Sequence, residues 1–234
     1  MTQFVLVHGA WRGSWLWRKV RPLLQAAGHE VFTPTLTGLA DRSHLLAPEI
    51  DLETHIADVV NLVRWEGIDD FVLCGHSYAG CVVTGVADRL AQRIRALVYL
   101  DAFVLEDGQS LHDTVPAELR DMQVQSAAGD GDGWRVPPIP AEIFNVNEAD
   151  RAYVDSQCTA HPLATLQQKL SLQHTMPPEK VTHVLATEHP HSPFAPYHEL
   201  AKRKGWKTLR LACGHDAPLD LPQEVTRILL DASG

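Results

Sequence analysis

Phe71-Val72-Leu73-Cys74-Gly75-His76-Ser77-Tyr78-Ala79-Gly80 decides how this chain is read. Four apolar residues make a short buried strand, and a serine sits at the apex of the turn that follows. An amphipathic segment begins at once. Small residues two before and two after the serine let the backbone turn sharply and lift the hydroxyl to the top of a sheet. The turn also sets Ser77 at a helix N-terminus, where free N–H groups favour developing negative charge. The consensus form of this turn has glycine two residues after the serine. Ala79 stands there instead, and alanine is small enough for close helix–strand packing.

The same alternation extends to both sides. Phe4-Val5-Leu6-Val7 is an apolar run ending in His8-Gly9, a buried strand. Ser14 to Ala27 reads as a helix closed by Gly28. Glu30-Val31-Phe32 makes a second strand, and Pro34 to Pro48 a loop. Asp51 is a candidate N-cap for a helix whose face is Ile56, Val59, Val60 and Val63. Ala96 to Leu100 is a further buried strand. Strands alternating with helices predict an α/β fold, a mostly parallel open sheet flanked by helices. The alternation stops between Leu105 and Pro178, a stretch rich in proline, with Ser126 to Gly133 read as a flexible loop and helical patches at Glu148–Cys158 and Pro162–Leu172. It resumes with strands at Val181–Ala186 and Thr208–Ala212 and a last helix at Gln223–Ala232. The expected organisation is a core of residues 1–104 and 179–234 carrying an inserted cap, 105–178, over the C-terminal edge of the sheet.

The totals exclude several classes. The 234 residues suffice for one good-sized core, and 45% hydrophobic with 21% charged is ordinary for a globular protein. A formal charge of −9 without a basic stripe suits neither nucleic acid nor an anionic membrane surface. No apolar segment is long enough to span a bilayer. The chain opens straight into a strand, so no signal peptide is expected, and Cys74, Cys81, Cys158 and Cys213 have neither disulfide-framework nor zinc spacing. The expected location is cytoplasmic.

Serine is a weak nucleophile and needs a base within reach. His215, in Cys213-Gly214-His215-Asp216, follows the last predicted strand and has the right basicity to take the serine proton and return it. A carboxylate must then orient the imidazole. Glu188 follows the Val181–Ala186 strand and gives the chain order serine, acid, histidine, so it is the first choice; Asp101, at the end of the Ala96–Leu100 strand, is the alternative. Acyl transfer also needs two backbone donors for the oxyanion. The N–H of Tyr78 is one, and the N–H of Ala10, in the loop where Gly9 lets the backbone come close, is the other. Gly9, Trp11, Trp134, Phe144 and Tyr153 are the expected substrate-binding residues. Trp15 and Trp17 are read as core or pocket wall. His189-Pro190-His191 has the look of a metal clip, but the intervening proline and the lack of a carboxylate cluster speak against one. Asp41-Arg42-Ser43-His44 reads as a loop ion pair. Gly9, Gly13 and Gly28 lack phosphate-cradle spacing. No metal and no cofactor is expected.

Val7-His8-Gly9-Ala10-Trp11 with Ser14-Trp15, Pro34-Thr35-Leu36-Thr37-Gly38, Gly75-His76-Ser77-Tyr78, Tyr99-Leu100-Asp101-Ala102-Phe103 and Gly214-His215-Asp216 span nearly the whole chain in order. In these the chain resembles the α/β-hydrolases, and among them the small cap-bearing subfamily of pyrethroid-hydrolase-like carboxylesterases, plant methylesterases and hydroxynitrile lyases. The resemblance implies a nucleophile role for Ser77, a base role for His215 and a cofactor-free mechanism. The implied activity is that of a serine carboxylesterase acting through an acyl-enzyme on a small apolar or aromatic ester, as one chain or as a homodimer. Lyases of this subfamily have threonine where this chain has Gly9, and a lysine that helps hold cyanide where it has Asp216. A carboxylate there disfavours developing cyanide. A lyase, or a ligand receptor on a hydrolase fold, is the alternative.

Overall fold

A computed structural model describes residues 1–190 and 192–234. Six parallel strands form one sheet in the order β2-β1-β3-β4-β7-β8: β1 (Gln3–Val7), β2 (Glu30–Phe32), β3 (Phe71–His76), β4 (Ile94–Leu100), β7 (Val181–Ala186) and β8 (Lys207–Leu211). Because side chains alternate along a strand, each strand feeds two cores. Val5, Val7, Phe71, Leu73, Leu97 and Tyr99 enter one, with helices α2 (Leu52–Trp65) and α3 (Ala79–Leu90). Phe4, Leu6, Val72, Cys74, Val98 and Leu100 enter the other, with α1 (Arg21–Ala26) and α10 (Pro222–Ala232). Among the described residues, no helix is long and apolar enough to cross a membrane.

Between β4 and β7 lie α4 (Leu111–Thr114), α5 (Ala117–Asp130), α6 (Glu148–Gln157), α7 (Ala164–Gln167) and a two-stranded antiparallel ribbon of β5 (Arg135–Val136) and β6 (His161–Pro162). The expected loop at Ser126–Gly133 is largely helix. α5 runs through Ser126 to Asp130, held by the fully buried Ala127, and ends at Gly131. The expected Ser14–Ala27 helix is instead a 3-10 turn at Ser14–Trp17 followed by α1, which starts beside Pro22, a residue suited to a first turn and to no later one. Only one turn, α7, forms within Pro162–Leu172. α8 (Ala195–Arg203), which the sequence reading missed, also opens on a proline.

β1 has β2 on one side and β3 on the other, so the chain direction across the sheet reverses between β1 and β3. Open α/β sheets bind ligands outside the carboxyl ends of the strands at such a point. Val7 is level with Gly75 and His76 with Leu100, so register alone sets Gly9, Ser77 and Asp101 side by side at this edge.

Candidate active site

Three left-handed residues ring this edge: Trp11 after β1, Ser77 after β3 and Asp101 after β4, with φ of +62°, +57° and +43°. Such backbone costs free energy of order 1–3 kcal/mol per residue and persists where the surroundings impose it. At Ser77 the surroundings are visible. Its N–H donates to Leu100 O and its carbonyl accepts from Phe103 N. At Gly80, a β-carbon would lie 1.9 Å from Phe103 O. Glycine is therefore demanded three residues after the serine, while Ala79, fully buried in the first turn of α3, is accommodated.

His215 Nδ1 donates to Asp101 Oδ2 at 2.7 Å. Ala186 N–H donates to Oδ1 of the same carboxylate at 3.0 Å, so both oxygens of a fully buried acid are satisfied. Glu188 is elsewhere. It is exposed, its N–H donates to Cys213 O, and its carbonyl accepts from Asn145 Nδ2. The acid placed on the histidine is thus Asp101, the alternative of the sequence reading, rather than Glu188. The physical reason is lateral: β4 adjoins β3, so the residue after β4 sits beside the serine and within reach of His215. Both residues satisfy the chain order, which therefore cannot separate them.

Burial pushes the His215 imidazole down to about 4 and the Asp101 carboxyl up, the latter opposed by the Ala186 N–H. The resting ring is neutral at pH 7. Rings enclose it: Phe194 stacked at 5.0 Å, Phe144 at 5.3 Å, His189 at 5.2 Å and His76 at 4.4 Å. His215 N–H donates to Phe144 O, and His76 Nε2 donates to His215 O at 2.9 Å. Ser77 is partly exposed, and its Oγ makes no hydrogen bond among the described residues.

Gly9 lies against the serine. A β-carbon at position 9 would stand 2.7 Å from Ser77 Cβ and 3.2 Å from its Oγ. Among the described residues, the N–H groups of Ala10 and Tyr78 have no acceptor, and they flank this contact. Histidine tautomers follow from the bonds around them. His8 Nε2 accepts from Leu36 N–H, so Nδ1 carries the proton and donates to Gly9 O. His55 Nε2 donates to Thr37 O, leaving Nδ1 to accept from Tyr78 Oη at 2.9 Å. Tyr78 is thereby buried as a support beneath the turn.

The segment between β4 and β7 reaches the same edge. Trp11 Nε1 donates to Val136 O, and Thr159 N–H donates to Trp11 O. Phe144 packs on Trp11 as well as His215. Tyr153 and Trp134 are not among the rings on His215. Tyr153 packs edge-on against Trp15 and beneath Arg18, and Trp134 carries Arg135 over its face. Phe194 and His189 were missed as site residues; an apolar residue in a proline-flanked stretch, Ser192-Pro193-Phe194-Ala195-Pro196, gave no period to read. The Asp41–Arg42 expectation is amended: Arg42 pairs with Asp58, while Asp41 accepts from Thr35. Asp101, His189 and His215 offer atoms within 4.8 Å of one another, a cluster explained by the acid–base pair itself. The second histidine of the considered clip, His191, lies outside the described residues.

The sequence pattern of the alpha/beta hydrolase family matches residues 4–228. The chain belongs to this family. A carbendazim hydrolyzing esterase of Nocardioides sp. (strain SG-4G) is 43% identical over 238 positions, covering 98% of both chains. An alpha-hydroxynitrile lyase of Arabidopsis thaliana is 33% identical over 133 positions, 55% of this chain and 48% of its own. Among solved structures, an extracellular alpha/beta-hydrolase from a Paenibacillus species, described as sharing structural and functional homology with tobacco salicylic acid binding protein 2, superposes with a TM-score of 0.84 at 25% identity over 99% of each chain. This alpha/beta hydrolase is a carboxylic ester hydrolase, with the fold and relatives that the resemblance implied.

Proposed function

We propose that the chain hydrolyses small apolar or aromatic esters through an acyl-enzyme formed on Ser77. The observation carrying this reading is the 2.7 Å bond from His215 to a buried Asp101, one strand over from a left-handed serine. Ser77 Oγ attacks the carbonyl while His215 Nε2 takes its proton, and Asp101 holds the Nδ1 proton and stabilises the imidazolium. The N–H groups of Ala10 and Tyr78 receive the oxyanion. His215 protonates the departing alcohol, then activates the water that frees the acid. No metal or cofactor is invoked. Residues 105–178 act as a cap that selects the ester, with Phe144 and Trp11 as its wall at the reacting centre. All four cysteines are free, which fits the reducing cytoplasm.

The test is fluorophosphonate labelling with intact-mass and peptide mapping, alongside a panel of a p-nitrophenyl acetate, a bulky aromatic ester, carbendazim and mandelonitrile. Stoichiometric labelling at Ser77, lost in Ser77→Ala, and an acyl burst with the activated ester are expected. Labelling elsewhere, or turnover of mandelonitrile alone, overturns the reading. The lyase alternative is disfavoured by the crowding at Gly9 and by the placement of Asp216, whose carboxylate is turned onto Arg12.

A further inference from the structure

Two buried charges beside this site have no part in the steps above. Arg12 and Asp216 are 2% and 0% exposed. Arg12 Nε and Nη2 both donate to Asp216 Oδ2, at 3.1 and 3.0 Å. Arg12 Nη1 donates to Cys158 Sγ at 3.1 Å, and the guanidinium lies 5.0 Å from the centre of the Phe144 ring that also packs on His215. Asp216 Oδ1 has no hydrogen-bond partner among the described residues; its neighbour is His76 Nε2, at 3.8 Å.

Stability does not account for such a pair. Two desolvated charges are often replaced by apolar side chains with no loss, whereas removing one partner leaves an orphaned charge. Position is what distinguishes it. Arg12 is two residues from Ala10 and Asp216 is next to His215, so the pair ties the loop after β1 to the loop after β8. It also brings an anion and a cation to the imidazole, the anion favouring its protonated form and the cation its neutral form.

We propose that Arg12 and Asp216 are positioning residues, a charge-balanced clamp that fixes the oxyanion loop against the histidine loop and sets the basicity of His215. The roles of Ala10 and His215 rest on the reading above. The charged and titratable groups facing His215 are Asp101 after β4, His76 in β3, His189 after β7, Asp216 beside it and, through Asp216, Arg12; Asp220 of α9 (Ala217–Asp220) lies near Gly214. Burial holds His76 and His189 neutral, both lowered to about 4. Asp216, which Arg12 holds ionised, and Arg12 itself are therefore the fixed charges near pH 7, while burial raises the Asp101 carboxyl.

The clamp is tested by titrating His215 directly, by NMR of ¹⁵N-histidine-labelled protein with the signal assigned by His215→Ala, and by the acidic limb of kcat/KM. Opposite signs are expected. Arg12→Met leaves the anion alone and moves the His215 titration up by about one pH unit. Asp216→Asn leaves the cation alone and moves it down, so that the ring stays neutral to the lowest pH at which the fold survives. The apolar pair Arg12→Met with Asp216→Leu returns it near the wild type. Arg12→Lys keeps the charge but loses the fork, so it lowers kcat without moving the titration. Single variants that shift His215 in the same direction, or not at all, overturn the proposal, because a purely structural clamp has no sign. Should either single variant not fold, the apolar pair and Arg12→Lys decide it, and a displacement of about one pH unit in either one sinks it. The NMR readout does not depend on turnover, so failure of Ser77 to label counts against the esterase mechanism and leaves this test standing.

Discussion

A single methyl group at position 9 would meet the serine that the fold turns outward. With Ser77 Cβ 2.7 Å from where that carbon would stand, either the loop after β1 or the serine must move. Overpacking of this kind costs about 1–3 kcal/mol, and a misplacement approaching 1 Å at reacting groups costs roughly 10² in rate. Gly9→Ala is therefore expected to fold, with a slightly lower Tm, and to lose about two orders of magnitude in kcat. Activity within threefold of the wild type would show that the contact relaxes harmlessly. The acid gives the second expectation at this scale. Asp101→Asn keeps the shape but lets the amide present the wrong group to Nδ1, at a cost of about 10⁴ in kcat. Glu188→Gln, an exposed change, leaves kcat within about twofold. The reverse ranking in steady-state kinetics would return the role to Glu188. The positions of Ser77, His215, Ala10 and Tyr78 at this edge were legible because each lies just past a buried run and a glycine. The acid was not, because a loop carboxylate is chosen by which strands are neighbours in the sheet, and sequence order is silent on that.

The same distinction between local and lateral information governs the elements. β1, β3, β4 and β7 are largely buried and mostly apolar, and each was read to within two residues at either end. α2 was announced by its cap: Asp51 accepts from Thr54 N–H, and the helix begins one residue later. α5 was missed because its fourteen residues show no apolar stripe, only Gln123 and Ala127 being buried. Its packing is set by the elements around it, which a single-segment reading does not contain. The aromatics between β4 and β7 divide for a similar reason. Phe144 reaches the site because Gly214 accepts the close approach of the 144–145 backbone, whereas Tyr153 on α6 is spent against Trp15 and Arg18. Phe144→Ala should change the kcat/KM ratio between a small acetate and a bulky aromatic ester by about 1–3 kcal/mol. Tyr153→Ala should leave that ratio alone and lower stability to urea by about 1 kcal/mol, the scale of a lost edge-on pair. A ratio that moves with Tyr153 and not with Phe144 would put the selecting wall on α6.

At the scale of the molecule, thirteen histidines in 234 residues make acid the weak side of this fold. Burial lowers His8 to about 3, and His55, His76 and His183 to about 4. Each is held neutral by desolvation while one ring nitrogen donates to a backbone carbonyl: Gly9, Thr37, His215 and Ala102 respectively. In the unfolded chain the same side chains titrate near 6.5. Between that value and about 4 the unfolded state binds more protons than the native one, so stability rises with pH across the window. It is fully present above about 6.5 and is lost as the pH falls toward 4. Asp101 and Asp220 work the other way, because burial raises them and the native state then holds the extra protons, but the lowered histidines outnumber them. Each net proton taken up on unfolding contributes a slope of about 1.4 kcal/mol per pH unit. Several together can remove the whole margin of a typical domain within about two units. Urea midpoints should therefore be flat from pH 7 to 8 and fall steeply between 6 and 4.5, with a proton uptake above two from the slope. Replacing His183, which sits in β7 away from Ser77, by Gln should flatten that fall measurably while the midpoint at pH 7.5 changes little. A midpoint that stays level down to pH 4.5 would mean that these rings carry their protons in the native state, and that the tautomers assigned from their hydrogen bonds are not the ones the protein holds.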